Sequence, residues 1–423
     1  MLDIKFIREH AEEVKKNIAL RRMDVDVDAL LRADATRLTS LQEVENLRRE
    51  RNQVAEKMKE AGKEDRPALI AEGKELKEKL VAAEETLKQA ETVASEIHLR
   101  VPNMTHPDSP TGEDDRENKE ISKTGEVKKF AFTPKDHVEL GKELDILDFE
   151  RGAKVAGAKF YFKKGKLAIL EQALGLWTMQ EMMKEGYTPM LTPDLARNEV
   201  LLGTGYVPRG EETQIYSIEN TDLSLVGTAE IPLGGYYKDE VIDEEKLPIK
   251  FVGLSHCFRT ESGSYGRESY GLYRVHQFTK VELFIFSTPE QSEALHEELR
   301  RLEERIFTKL GLAFRTVDIC TGDLGGPAYR KYDLEAWMWG KGEGTGDWGE
   351  ITSASNCTDY QARRLNIKMR KKDGSLEYVH TLNGTAVAFS RGLIAIMEQN
   401  QQEDGSILVP EVLRPFCGFD RIG

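Results

Sequence analysis

Residues 249–286 hold the densest group of side chains able to do chemistry. Ile249-Lys-Phe-Val-Gly-Leu-Ser-His-Cys-Phe-Arg259 reads as a strand, and Thr260-Glu-Ser-Gly-Ser-Tyr-Gly266 as a turn-rich loop. Tyr273-Arg-Val-His-Gln-Phe-Thr-Lys-Val-Glu-Leu-Phe-Ile-Phe286 reads as a second strand. Side chains alternate across a strand, so Arg274, His276, Phe278, Lys280 and Glu282 share one face. Two cations, an aromatic and a carboxylate make a poor core and a fitting floor for a polar, aromatic ligand. Alternation alone also fits a strand that faces solvent. No Ser-His-Asp or Cys-His arrangement is obvious. Cys257, Cys320, Cys357 and Cys417 contain no CxxC pair, which argues against a CxxC-based zinc site or a disulfide framework and fits a reducing compartment.

The chain that must position these residues has 423 of them, too many for one ordinary domain. Hydrophobic residues make up 39%, enough for a sizeable core, and charged residues 32%, an excess that suggests a long solvated helical element. The net charge of −14 means that any nucleic-acid contact must come from local basic patches. The apolar runs are too short for a transmembrane helix, and the start reads as neither signal nor transit peptide.

Residues 1 to about 30 read as a helix followed by an acidic turn, Asp24-Val-Asp-Val-Asp28. Leu69, Gly73, Leu76, Leu80, Ala83, Leu87, Ala90, Ala94 and Ile97 then recur at alternating spacings of four and three, a sustained heptad seam. Val44, Leu47, Val54, Met58 and Ala61 lie on a similar lattice, interrupted by Arg51. Between the two runs, Gly62 ends one helix and Pro67 suits the first turn of the next. The pattern predicts an antiparallel helical hairpin with limbs of about 26 to 32 residues, projecting as an arm. The polar run Thr105–Glu126 reads as a linker. Beyond about residue 130, aromatics, glycines and β-branched residues alternate with helices near 164–185 and 290–310, which predicts a large α+β unit.

These blocks carry a resemblance. Phe258-Arg-Thr-Glu261, with Arg274-Val-His-Gln-Phe278 and Val281-Glu282, resembles motif 2 of the class II aminoacyl-tRNA synthetases in the form used by the bacterial-type seryl-tRNA synthetase family. Gly186-Tyr-Thr-Pro-Met-Leu-Thr-Pro193 is similar to motif 1, the dimer-interface segment. Leu382-Asn-Gly-Thr385 with Arg391 is similar to motif 3. Gly203-Thr-Gly205, Thr228-Ala-Glu230, Cys320–Gly325, Lys331–Glu335, Glu350–Ser353, Ser355-Asn356 and Gln361–Arg364 follow in the family's order, so the resemblance covers essentially the whole chain.

The resemblance implies a coiled-coil arm over 1–104 that binds tRNA, a linker over 105–130, and a class II catalytic domain over 131–423, built on an antiparallel sheet flanked by helices. It implies activation of L-serine by ATP and transfer to tRNA(Ser) and tRNA(Sec) by a cytoplasmic homodimer. A serine carboxylate is already ionised at neutral pH, so the attack on the α-phosphorus needs placement and positive charge rather than a base. By resemblance, Arg259 and Arg391 are catalytic. ATP is held by Arg259, Thr260, Glu261, Arg274, Val275, Phe278, Glu350, Ile351, Thr352, Ser353 and Arg391, with Phe278 stacked on adenine. L-Serine is held by Thr228, Ala229, Glu230, Arg259, Glu282 and Thr385. Glu350 and Ser353 offer hard oxygen donors that suit Mg2+ bridging the phosphates, and no zinc is expected. Arg48, Arg49, Lys57 and Lys59 on the arm would meet the tRNA backbone.

Two other readings compete. A ligase that charges a carrier protein would resemble the catalytic part without the arm. A scaffold with a decayed synthetase domain would lack Arg259, Glu282 or Arg391, and all three are present. The loop Trp339-Gly-Lys-Gly-Glu-Gly-Thr-Gly-Asp-Trp348 does not match a P-loop, reads as a flexible hairpin near the active-site rim, and has no assigned role.

Overall fold

The computed structural model describes residues 1–207, 214–262 and 270–423, so the far part of the loop read over 260–266 lies outside the described residues. The chain forms two compact units, Met1–Met104 and Thr105–Gly423.

In the first unit the single helix expected over residues 1–30 is two, Ile4–Glu9 and Ala11–Leu20, divided where His10 leaves helical geometry. The hairpin follows as α1 (Val27–Glu60) and α2 (Arg66–Arg100). Its limbs of 34 and 35 residues exceed the expected length. The acidic turn explains the longer first limb: the Asp26 carboxylate caps it by accepting the Ala29 N–H at 2.9 Å. Pro67 sits in the first turn of α2. The heptad seam holds: Val44, Val54, Leu76, Leu80, Ala83 and Ala94 are buried, whereas Arg51 is exposed. At the foot, Ile7, Val14, Ile18, Leu30 and Val101 form a small core. The Asn17 and Arg21 side chains close it by donating to the Asn103 carbonyl at 3.0 and 2.7 Å.

The second unit is built on eight strands: β1 (Lys119–Thr124), β2 (Thr188–Leu191), β3 (Ile249–Phe258), β4 (Gln277–Ser287), β5 (Phe314–Asp318), β6 (Arg330–Met338), β7 (Asp347–Asn356) and β8 (His380–Ala388). Their order is β1-β5-β6-β7-β8-β4-β3-β2. Every pairing is antiparallel except that of the edge strand β2, which runs parallel to β3. The helices that matter to the site are α3 (His137–Glu143), α4 (Gly165–Lys184), α5 (Ser292–Lys309) and α6 (Phe389–Gln399). The architecture is the α+β arrangement expected from the sequence.

Two expectations are corrected here. The stretch 105–130 is not merely a linker: it supplies β1, whose Lys119 lies opposite Asp318 and Thr124 opposite Phe314. Lys119-Glu-Ile-Ser-Lys-Thr124 is mostly exposed and has no apolar alternation, so only its distant partner β5 reveals it as a strand. The second hairpin strand begins at Gln277, not Tyr273.

Alternation along β4 sorts the interior. Val281, Leu283 and Ile285 join Leu170 and Leu174 of α4, Leu299 and Leu302 of α5, and Leu393 and Ile396 of α6 in one core. The other parity carries Phe278, Lys280 and Glu282, then Phe284 and Phe286, which pack with Leu233 and Leu365. The helices thus cover one face of the sheet and leave the polar end of the other for the site.

Candidate active site

One cavity gathers most of the residues expected to hold the nucleotide. Arg259, Glu261, Arg274, Val275 and Phe278 come from the β3–β4 hairpin, Glu350, Ile351 and Thr352 from β7, Thr385 from β8, and Arg391 from α6. Thr260 and Ser353 do not line it. The Arg259 guanidinium carbon lies 5.2 Å from the Phe278 ring centroid, and its Nε donates to the Gly227 carbonyl at 3.2 Å. His276 leaves the face predicted for it and brackets the arginine backbone. Its carbonyl accepts the Arg259 N–H at 3.0 Å, and its Nδ1 donates to the Arg259 carbonyl at 2.9 Å. Regular pairing begins only at Gln277 opposite Phe258, which frees residues 273–276 to turn. Arg274 still reaches the cavity, with Nη1 at 3.6 Å from Glu261 Oε2.

Arg391 stands on a helix whose other residues are all buried. Its Nη1 lies 3.0 Å from Glu350 Oε1, its Nε donates to the Tyr273 carbonyl at 3.4 Å, and its guanidinium carbon is 4.6 Å from the Tyr273 ring centroid. Tyr273, to which the sequence assigned no role, lines the same cavity, as does Lys280, which alternation placed on the ligand-facing side of the strand.

Glu350 and Ser353 would normally face opposite ways, because three residues is an odd step on a strand. A bulge removes the conflict. Leu334 pairs with Thr352 and Glu335 with Glu350, so Ile351 has no opposite residue. Ser353 sits opposite Asp333. Since Asp333 and Glu335 share a face of β6, Glu350 and Ser353 do too, and two hard oxygen donors point the same way.

Of the residues expected to hold the amino acid, Thr228, Ala229, Glu230, Glu282 and Thr385 are buried and Arg259 is half-buried; only Arg259 and Thr385 of these line the cavity. Lys280 Nζ lies 2.5 Å from Glu282 Oε2, and the Thr385 hydroxyl donates to the same oxygen at 3.4 Å. Burial pushes the Glu282 carboxyl up, against the pull of Lys280. Glu230 sits in a fuller cage. Its Oε1 accepts from Gln361 Nε2 at 2.7 Å and Asn383 Nδ2 at 2.9 Å, and its Oε2 from the Tyr206 hydroxyl at 3.1 Å. Burial and the charge of Glu282 push its carboxyl up to about 7 despite these donors. Thr228 and Ala229 are fully buried just ahead of it. Gln361 and Asn383 lie inside quoted motif blocks, yet only the fold shows that both serve Glu230.

On the arm, Arg48, Arg49, Lys57 and Lys59 are all exposed. Arg48 reaches across the hairpin to Glu84 at 2.7 Å, and Lys59 pairs with Glu56 at 2.7 Å.

Comparison with known proteins decides the family. The model of the seryl-tRNA synthetase N-terminal domain matches residues 1–105, and that of the tRNA synthetase class II core domain (G, H, P, S and T) matches residues 214–400. A serine–tRNA ligase of Treponema denticola is 53% identical over 424 residues, covering 100% of both chains. The chain belongs to the seryl-tRNA synthetase family. A second family member, the serine–tRNA ligase of Rubrobacter xylanophilus, is 54% identical over 424 residues, spanning 100% of this chain and 99% of its own. The crystal structure of the Pyrococcus horikoshii seryl-tRNA synthetase complexed with ATP superimposes with a TM-score of 0.88 at 39% identity, over 100% of this chain and 99% of that one.

Proposed function

We infer that this chain is a serine–tRNA ligase, which activates L-serine with ATP to seryl-adenylate and transfers the serine to the 3′ end of tRNA(Ser). The observation that carries the reading is the convergence of Arg259, Arg274 and Phe278 of the β3–β4 hairpin, Glu350 of β7 and Arg391 of α6 on one cavity.

In this reading Phe278 stacks on adenine beside Val275, and Glu261 orients Arg274 around the triphosphate, with Thr260, Ile351 and Thr352 completing the ATP contacts. Arg259 carries the reaction. Its planar, permanently charged fork spans the α-phosphate and the serine carboxylate and neutralises the charge that grows on the phosphate oxygens. Arg391 steadies the far end of the nucleotide. Glu350 and Ser353, turned to one face by the bulge, would hold Mg2+, which supplies charge neutralisation to the phosphates. Glu230 and Glu282 offer anionic acceptors for the serine ammonium and hydroxyl, with Thr228, Ala229 and Thr385 shaping the pocket. A site built to bond a hydroxyl rejects the residue lacking it, here alanine.

Residues 1–104 serve as the tRNA-binding arm, where Arg48, Arg49, Lys57 and Lys59 meet phosphates, and tRNA(Sec) is taken along with tRNA(Ser). The catalytic unit works as a homodimer in the cytoplasm. Its support is an exposed apolar stripe on α4, Ile169, Leu176 and Met183 at seven-residue spacing, together with Leu191 at 78% exposure on the unpaired edge of β2. No helix among the described residues is long and apolar enough to cross a membrane.

The test is ATP–pyrophosphate exchange across the twenty amino acids, followed by charging of total tRNA. Exchange with serine alone, and charging of tRNA(Ser), is expected. Exchange driven by another amino acid, or none, overturns the reading.

A further inference from the structure

The glycine-rich hairpin between β6 and β7 closes over a cavity of about 200 Å³ that shares Tyr273 with the nucleotide site. At its base lies a buried pair that the proposed chemistry does not use. Glu398 and His137 have side chains 0% and 5% exposed. Glu398 Oε1 accepts from His137 Nδ1 at 2.7 Å and from the His137 backbone N–H at 3.0 Å. Its Oε2 accepts the Gly340 N–H at 3.0 Å. His137 Nε2 accepts the Leu272 N–H at 3.0 Å, so the ring proton sits on Nδ1 and points at the carboxylate.

Both branches of this network end on one ring. Leu272 is followed by Tyr273. Gly340 is followed by Lys341, whose Nζ lies 4.1 Å from the Tyr273 ring centroid. The same ring carries the Arg391 guanidinium at 4.6 Å. Arg391 and Glu398 are seven residues apart on α6, about two turns, so one helix presents both. Glycines let the backbone come this close. A Cβ at Gly271 would stand 2.0 Å from His137 Nε2, and one at Gly340 would stand 3.1 Å from Glu398 Oε1. A Cβ at Gly349 would meet Lys341 Cδ at 2.9 Å and Tyr273 Cε2 at 3.2 Å.

We propose that the Glu398–His137 pair is a positioning device for the nucleotide half of the site, holding Tyr273 beneath Arg391 through Leu272 on one side and the glycine-rich hairpin on the other. The inference rests on the reading of that site as the ATP site. The pair touches neither nucleotide nor amino acid; it sets where Arg391 stands, and sub-ångström placement is what such a site depends on.

The test is the split between substrates. Glu398→Gln keeps one acceptor and turns an NH2 toward a backbone N–H, breaking one branch. Lys341→Met keeps the stem of a part-exposed side chain and removes only its cation. Each is expected to raise the KM for ATP about three- to ten-fold while the KM for serine stays within about two-fold. Calorimetric binding of a non-hydrolysable ATP analogue should weaken in parallel. Should Glu398→Gln not fold, Lys341→Met alone decides. Unchanged ATP KM and analogue affinity in the folded variants, or ATP and serine KM values rising together, would overturn the proposal. A wild-type protein without serine-dependent exchange would sink the functional reading instead, and analogue binding would still judge the pair.

Discussion

The Thr352 hydroxyl donates to Glu303 Oε2 at 2.7 Å, tying the bulged strand β7 to helix α5. Glu303 is fully buried, and its Oε1 has no hydrogen-bond partner among the described residues. Burial pushes this carboxyl well above its ordinary range, and the charges of Glu282 and Asp333 push the same way. Thr352→Val removes the only donor to this carboxyl among the described residues and should cost about 1–3 kcal/mol in denaturant unfolding. Thr352→Val with Glu303→Leu replaces both partners by apolar groups and should return to within about 1 kcal/mol of wild type. A double variant as weak as the sum of the singles would refute this account.

Arg259→Ala should remove serine-dependent ATP–pyrophosphate exchange by a factor of at least about 10³. The fold should survive, because the side chain closes no core and, among the described residues, donates only to the Gly227 carbonyl. Near-normal exchange would show that the charge on the phosphate comes from elsewhere.

Glu230 gives the site a pH dependence of definite sign. It must be charged to hold an ammonium, and its carboxyl is pushed up to about 7 by burial and Glu282. The kcat/KM for serine should therefore fall about ten-fold per pH unit below that value, and Glu230→Gln should be low and flat. Stability runs the other way. The folded state holds this proton more tightly than the unfolded state, so the contribution of Glu230 is greatest below the ordinary value of 4.5 and is lost as pH rises through about 7. Unfolding of wild type against Glu230→Gln across that range measures it.

Deletion of residues 35–98 should spare adenylate formation and abolish tRNA charging, because the catalytic unit has its own core. Normal charging by the shortened protein would remove the arm from tRNA binding.

Leu176→Glu places a charge in the middle of the exposed α4 stripe. In analytical ultracentrifugation it should shift a dimer toward monomer while a surface control such as Lys142→Glu leaves it unmoved. An unchanged dimer would place the interface elsewhere.

Much of this was legible in the sequence, for physical reasons. The seam from Leu69 to Ile97 could be read residue by residue because a heptad is a local pattern, and each of its members is at least partly buried. The strand parity of Phe278, Lys280 and Glu282 could be read because alternation is strict once pairing begins. What stayed hidden depends on partners far away in the chain. β1 has no signal of its own and becomes a strand only beside β5. The bulge at Ile351 is a property of two strands together, so the shared face of Glu350 and Ser353 could not be seen from their spacing. The cage around Glu230 draws Tyr206, Gln361 and Asn383 from three distant segments. His276, placed on the ligand face by alternation, turned away because the ladder had not yet started.

Helix α6 buries every side chain but that of Arg391. The arginine is therefore a tooth set in the hydrophobic interior, and it cannot be retuned by reshaping the segment that bears it without disturbing the whole fold. Variation in how firmly the chain grips a nucleotide must instead arise in the softer parts leaning on that tooth, the tyrosine ring and the glycine-studded turn.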